Sequence, residues 1–402
     1  MNKLTILDLF AGCGGLSAGF ESDMFDIKVA NEFWYDGAKT YTNNHPNTNV
    51  ICDDITKDEV KNEIYESFEK VACDIIIGGP PCQAYSNAGK RNPNDSRGRL
   101  FEDYVKIVQK LKPKMFIMEN VKGLLTMKHY KGNLTKDEEI IKKEIINLEI
   151  KRRELLDQRI KHKNNSSKFA FSETDIQELE QTKVRLTELK KYQDVVKVFV
   201  LDEILNRLSS IGYNTQFKLL NSANYGVPQK RERIIIVGTR SDIRTKFTYP
   251  KPTHFEKTSS NELFEQKKWK TVREAISDLE LLNQNDDYMH IFTKHSKEFL
   301  TKIDSTKIGQ SVFGNYSDAF FRSYPDEPSR TVKENHGGVF VHYEFNRVMT
   351  PRELARLQSF PDDYKFFGSK SSILKQIGNA VPVGLSKAIA NQVTDFFEQN
   401  FV

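Results

Sequence analysis

Cysteine is scarce in this sequence, and where it occurs it is unpaired. The four residues Cys13, Cys52, Cys73 and Cys82 form no C-x-x-C pair and have no histidine at zinc-ligand spacing. Neither a disulfide framework nor a structural zinc site is therefore expected, and no metal. No secretory leader precedes the first apolar run, Leu4–Phe10, so a reduced, cytoplasmic protein is expected. Long apolar runs are missing too: none approaches the ~20 residues of a membrane span, and no membrane partner is expected. No glycine loop closes on G-K-[ST], which excludes a P-loop, and no segment repeats. A strong excess of one charge is also absent. The 60 Lys and Arg stand against 55 Asp and Glu, a net of +5, compatible with a nucleic-acid partner and with many others.

What is present is an alternation. Short apolar runs, LTILDLF, DIKVANE, NTNVICDDI, CDIIIGG and KMFIMENV, are separated by helix-length spacers. This is the pattern of an α/β protein with a parallel, doubly wound sheet. Helices are expected at Gly14–Ser22, Tyr35–Asn44, Glu59–Phe68 and Phe101–Lys110. From Lys131 to Asp194 the chain turns polar, with fifteen basic and thirteen acidic residues and apolar positions at Ile141, Leu148, Leu155, Leu179, Leu186 and Leu189. These near-heptad intervals, broken by KHKNNSSKFAFSETD with Ser172 and Asp175 placed as a capping box, predict an inserted pair of helices. The sheet pattern resumes with VVKVFVLDEILNRLSSIGY as a helix and TQFKLLNSANYG and RIIIVGTR as strands. Beyond YPKPTH, Phe255–Glu344 shows no α/β alternation and predicts a second, smaller domain. The tail segments TPRELARLQSFPDDY and QIGNAVPVGLSKAIANQVTDFF read as helices that return to the first domain.

ILDLFAGCGGLSAGF sets Gly12, Gly14 and Gly15 between the first strand and the next helix, where a β-carbon would block a ligand lying on the backbone at the strand's carboxyl edge. A tight turn with no ligand is the plainer alternative. Glu32 ends the second apolar run, where its carboxylate can accept from both ribose hydroxyls, and Asp54 follows the third, positioned for an adenine amino group. The dinucleotide fingerprint fits loosely, because Ser17 stands in the third glycine's place. Acids at successive strand ends suit S-adenosylmethionine better.

Cys82 follows the fourth strand in GGPPCQ, held by Pro80 and Pro81, whose rings fix two φ angles. A buried, inert thiol is the ordinary fate of a lone cysteine and suits Cys13, Cys52 and Cys73. It suits Cys82 poorly, since a prolyl turn entering the basic stretch QAYSNAGKRNPNDSRGR is no core site. Glu119 ends the fifth strand in MENV, as a helix cap or as a partner of Cys82 on the adjacent strand end; the alignment favours the second. Arg231 and Arg233 alternate into a strand and so share a face, either as solvated edge charges or as a clamp on a polar ring.

Taken together, DLFAGCGG, GGPPCQ, MENV, QKRER, RELARLQSFPDD and QIGNAVP, in this order, resemble the blocks of the bacterial restriction–modification type of DNA cytosine-5 methyltransferases. The resemblance implies a Rossmann-like S-adenosylmethionine-dependent methyltransferase domain (1–130, 195–245 and 366–402), a helical hairpin insertion (131–194), and a smaller target-recognition domain with its hinge (246–365). It implies that Cys82 adds to carbon 6 of a flipped-out cytosine while Glu119 serves N3, Arg233 contacts O2, and Arg231 acts beside it. Phe10, Cys13, Gly15, Glu32, Phe33, Asp54, Ile55, Pro81, Asn379 and Ala380 would line S-adenosyl-L-methionine, with S-adenosyl-L-homocysteine as product. Phe33 departs from the more usual Trp but keeps a stacking ring. Gln83, Ser86, Lys90, Arg91, Arg97 and Arg99 would meet double-stranded DNA. A monomer is expected, in the bacterial cytoplasm and on the nucleoid through its DNA, with a cognate restriction endonuclease as a genetic rather than physical partner. His290, His295 and His336 are read as structural or solvated. The insertion is read as a solvated hairpin; docking a partner or extending the DNA contact is the sharper alternative.

Three rivals are weighed against this. An RNA methyltransferase of the same family carries a CFT motif in its second domain, whereas no cysteine follows Cys82 here. A silent DNA-binding regulator would not need Cys82 and Glu119 intact. A nicotinamide dehydrogenase gives Cys82, Glu119 and the arginines no joint role.

Overall fold

A computed structural model describes residues 3–81, 96–164, 171–257, 266–282, 287–314, 320–333 and 340–401. Its main strands are β1 (Leu4–Leu9), β2 (Phe25–Asn31), β3 (Asn49–Ile51), β4 (Ile75–Gly78), β5 (Met115–Val121), β6 (Lys128–Tyr130), β7 (Lys197–Phe199), β8 (Tyr213–Asn221) and β9 (Glu232–Arg240). Seven of them form one sheet in the order β3-β2-β1-β4-β5-β9-β8. The apolar residues of β1, β4 and Met115–Met118 of β5 are buried on both faces, as a sheet covered on each side requires.

The sheet is not wholly parallel. Pairings among β1 to β5 are parallel, but β9 runs antiparallel to both β5 and β8. The link from β8 to β9 explains this. It holds only a 3-10 turn, Ser222–Tyr225, closed by Gly226 at φ 78°, too little chain for the crossover a parallel return needs.

Two other expectations change. The helix read over Gly14–Ser22 is a single 3-10 turn, Ser17–Phe20, because the preceding glycines are used in a left-handed loop and would each cost a helix about 1 kcal/mol. VVKVFV is not helical throughout. Its alternating β-branched and aromatic residues put Lys197–Phe199 into β7, and the α-helix starts at Val200.

Contacts divide the chain into two compact units, one of Met1–Pro80, Glu102–Lys122 and Leu208–Val402 and the other of Pro81–Phe101 and Gly123–Arg207. In the first, Ile6, Phe20, Ile75, Ile117 and Ile235 of the sheet region pack with Leu385, Ile389, Val393 and Phe396 of the last helix, Val383–Phe401. The tail pattern breaks into two helices, Lys370–Asn379 and Val383–Phe401, because Pro382 cannot continue the first. A second core joins Val272, Ile276, Phe321, Val332 and Phe340 to Leu354, Phe360, Tyr364 and Ile377. Residues 246–365 thus share apolar packing with the tail.

The second unit contains the helices Lys136–Asn164 and Glu173–Leu189. Ser172 and Asp175 form the reciprocal capping box. Tyr130, Ile145, Leu189 and Val196 make the buried centre, with Ile141, Leu148 and Leu186 packed around it.

Candidate active site

The register of the sheet aligns the strand ends. Leu9 of β1 pairs with Asn31 of β2 and with Gly78 of β4, and Gly78 pairs with Met118 of β5. Because β9 is reversed, its first residues lie against the last of β5, with Val121 opposite Arg233 and Glu119 opposite Ile235. Glu119 and Arg233 therefore sit on one face of adjacent strands. Arg233 Nε lies 2.7 Å from Glu119 Oε1, both side chains being nearly buried, a charge-assisted bond held by the two strands rather than by flexible loops.

Glu119 also borders the chain that leads to Cys82. A β-carbon on Gly79 would stand 3.2 Å from Glu119 Oε2, and Asn120 Nδ2 donates to Pro80 O at 3.0 Å. Asn120 was not singled out from the sequence, although an amide beside a strand-end acid in MENV is a signal of this kind. Cys82, Gln83, Ser86, Lys90 and Arg91 lie outside the described residues. Arg97 and Arg99 fall in the first turn of the helix Ser96–Leu111, of which only the backbone is described there.

Arg231 departs from its expected place beside a ring. It is 2% exposed, and its guanidinium donates to Val332 O at 2.7 Å and to Gly378 O at 3.0 Å. Burial, with Arg233 nearby, pushes it below the usual arginine range. Two distant carbonyls have claimed the side chain, so it ties the segment before Lys333 to the tail. Gln229 does the same with its side-chain amide, donating to Leu357 O and accepting from Val332 N.

At the other end of the edge, Phe10 and Gly12 each have φ 58° and Gly14 has φ 89°. The left-handed region is costly for a bulky residue such as Phe10, so the surrounding structure must hold this turn. Only Gly12 among these glycines faces open space: among the described residues, nothing stands within 4 Å of where its side chain would begin. Gly14 and Gly15 serve packing instead. A β-carbon on Gly14 would meet His45 Nε2 at 2.5 Å and Tyr364 Oη at 2.6 Å, and one on Gly15 would meet Val381 O at 2.6 Å. Cys13 is buried and its thiol is pushed up to about 12 by burial, so only its backbone is available to a ligand. Cys73 is buried as expected, whereas Cys52 is exposed.

Glu32 clamps the loop. Gly12 N–H donates to Oε2 and Trp34 N–H to Oε1, both at 2.7 Å; each oxygen keeps a further lone pair. Burial raises its carboxyl against these bonds. Phe33, next in sequence, is 72% exposed, an open ring beside a strand-end acid. Asp54 accepts from Thr56 N–H at 2.9 Å; Ile55 and Ala380 are buried, Asn379 is exposed and Pro81 is partly exposed. Beneath the loop, Ser17 Oγ donates to Asp8 Oδ2 at 2.6 Å and stands 2.6 Å from Tyr41 Oη. Burial pushes the Asp8 carboxyl up to about 7, with Glu32 adding to the rise.

His290 is buried, with Nδ1 3.1 Å from Thr350 Oγ1, and His295 packs on Phe299. His336 lies outside the described residues.

A glycine loop and acids at the carboxyl edge of a mostly parallel sheet define a Rossmann-like methyltransferase fold. Residues 4–151 and 155–395 match the family described as C-5 cytosine-specific DNA methylase. The chain is 31% identical to the type II methyltransferase M1.HphI of Haemophilus parahaemolyticus, over 97% of this chain and 87% of that one. It is 30% identical to the type II methyltransferase M.NgoFVII of Neisseria gonorrhoeae, over 100% and 89%. Among solved structures, a DNA modification methyltransferase encoded within an E. coli prophage superposes with a TM-score of 0.65 at 20% identity, covering 98% of this chain and 100% of that one. A mutant DNMT2 of Spodoptera frugiperda gives 0.55 at 16%, covering 97% and 99%. The chain belongs to the C-5 cytosine-specific DNA methylase family and is a DNA (cytosine-5-)-methyltransferase.

Proposed function

We propose that the chain takes its methyl group from S-adenosylmethionine and delivers it to a cytosine flipped out of a short, specific duplex sequence, as the protective methylase of a restriction–modification system. The observation that carries the catalytic part is the Glu119–Arg233 pair at the β5/β9 edge, beside the strand exit toward Cys82. For the cofactor, the open face of Gly12, the remaining lone pairs of Glu32 and the exposed ring of Phe33 suit an adenosyl group. Phe10, Asp54, Ile55, Pro81, Asn379 and Ala380, with the backbone of Cys13 and Gly15, would complete the lining. When bound, the cofactor supplies a methyl activated on a sulfonium sulfur.

The rest falls to this chain's own residues. Carbon 5 of cytosine is a weak nucleophile, so Cys82, as thiolate, adds to carbon 6 and enriches carbon 5. Glu119 carries the proton that relieves charge at N3, and Arg233 holds O2. After methylation a water molecule takes the carbon 5 proton, which re-forms the ring double bond and expels Cys82 as thiolate. Gln83, Ser86, Lys90, Arg91, Arg97 and Arg99 serve the DNA strand around the flipped base, and 246–365 reads the sequence. The enzyme acts as a monomer, its endonuclease a genetic partner.

Radiolabelled methyl transfer to DNA and to tRNA, with bisulfite sequencing of DNA from a host expressing the chain, tests this. Label in DNA at one recurrent sequence is expected; label in tRNA alone would overturn it. The two arginines separate by a second experiment. Arg231→Ala is expected to lower stability by roughly 3 kcal/mol, since it empties a buried site and strands two carbonyls. Arg233→Lys is expected to keep the melting temperature but lose about a hundredfold in kcat, because an ammonium cannot reproduce the guanidinium fork. Thermal melts and steady-state kinetics on both variants check this.

A further inference from the structure

The glycine loop is gripped from behind by a chain of polar groups. Tyr364 Oη lies 2.6 Å from Cys13 O, a carbonyl that can only accept, so the tyrosine proton points there. The tyrosine oxygen is also 3.1 Å from His45 Nε2. With its own proton committed, it can only accept from the ring, and Nε2 must carry hydrogen. On the other side, His45 Nδ1 stands 2.7 Å from Glu21 Oε1, a carboxylate that also accepts. Both ring nitrogens are therefore donors, which only the imidazolium provides.

Two further features favour a cation there. His45 is the C-cap of the helix Tyr35–Asn44, where the helix dipole favours positive charge. The ring of Tyr41 packs on it with centroids 4.4 Å apart, offering a π face. Gly14 also stands against the ring, and a β-carbon there would clash with His45.

The far end of the chain is the Cys13–Gly14 peptide. Its carbonyl is held by Tyr364, and its N–H, on Gly14, donates to Ala11 O at 3.0 Å. Glycine at φ 89° can rotate either way at little cost, so the orientation of this plane rests on these two hydrogen bonds. We propose that His45, held as an imidazolium between Glu21 and Tyr364, is a positioning residue that fixes the Cys13–Gly14 peptide and with it the shape of the cofactor loop. The effect on cofactor affinity rests on the reading of this loop as the S-adenosylmethionine site.

The test uses the full chain and S-adenosylhomocysteine as probe. In protein labelled with 15N-histidine, the His45 resonance, assigned by its loss in His45→Gln, is expected to show two protonated ring nitrogens at neutral pH; a neutral tautomer overturns the proposal. By calorimetry, Tyr364→Phe is expected to bind S-adenosylhomocysteine about tenfold more weakly, with kcat at saturating S-adenosylmethionine within about twofold of wild type. Glu21→Gln, a change at a half-exposed side chain, is expected to weaken binding about threefold and carries the test if Tyr364→Phe fails to fold. Glu32→Ala separates the two readings. If it abolishes binding while Glu21→Gln and Tyr364→Phe bind like wild type, the relay is refuted and the cofactor site stands. If Glu32→Ala itself binds like wild type, the site reading fails and the relay's role falls with it.

Discussion

Replacing Cys82 with serine is expected to cut methyl transfer to DNA by at least about a thousandfold, while affinity for S-adenosylhomocysteine stays within about twofold. The asymmetry follows from the chemistry. A serine hydroxyl is far less acidic than a thiol and is a poorer nucleophile at neutral pH, and nothing else among the proposed groups can add to carbon 6. The cofactor, by contrast, is assigned to the Phe10–Gly15 loop and Glu32, at the ends of β1 and β2, and none of the described bonds that shape that loop involves the Cys82 side chain. Filter-binding methylation assays and calorimetry on the same preparation read both quantities. Equal losses in both would mean that the residue supports the fold rather than the reaction.

Glu119→Gln is expected to lower kcat by roughly 100- to 10,000-fold, with the melting temperature little changed. The amide oxygen of glutamine can still accept from Arg233 Nε, which now lies 2.7 Å from Glu119 Oε1, so the strand-end arrangement survives. What is lost is an exchangeable carboxyl proton for the ring nitrogen. Glu119→Ala should be slower still and also less stable, because it leaves the nearly buried Arg233 Nε with no acceptor at that position. Single-turnover rates on a DNA carrying the methylated sequence, with melts alongside, distinguish loss of proton transfer from loss of structure.

The parts legible in the sequence were those written in local pattern. The runs ending at Leu9, Asn31, Gly78 and Val121 became strands because short apolar runs between helix-length spacers are buried best in a central sheet, and the acids Glu32 and Glu119 stood at or near their ends. The reversal of β9 went unread in the parallel pattern, although the short link before it leaves no room for a crossover. Long-range choices were hidden. Alternation puts Arg231 and Arg233 on one face, but only the folded chain brings Val332 O and Gly378 O to Arg231 and leaves Arg233 for Glu119. Gly14 and Gly15 looked like room for a ligand. They are instead room for His45, Tyr364 and Val381, two of which come from more than 300 residues away. His45 and Tyr364 gave no signal of their own, since a histidine before a proline and a tyrosine after two aspartates are unremarkable until the helix and the tail meet.

The central claim is that the Cys82 sulfur bonds transiently to carbon 6 of the target cytosine. Its most direct test is a duplex carrying 5-fluorocytosine at the methylated position, incubated with enzyme and S-adenosylmethionine. Fluorine at carbon 5 cannot leave as a proton does, so the adduct should persist through denaturation, and peptide mass spectrometry should find the modified nucleotide on Cys82. Methylation of normal DNA with no trapped complex, or a trapped complex on another residue, would contradict the account.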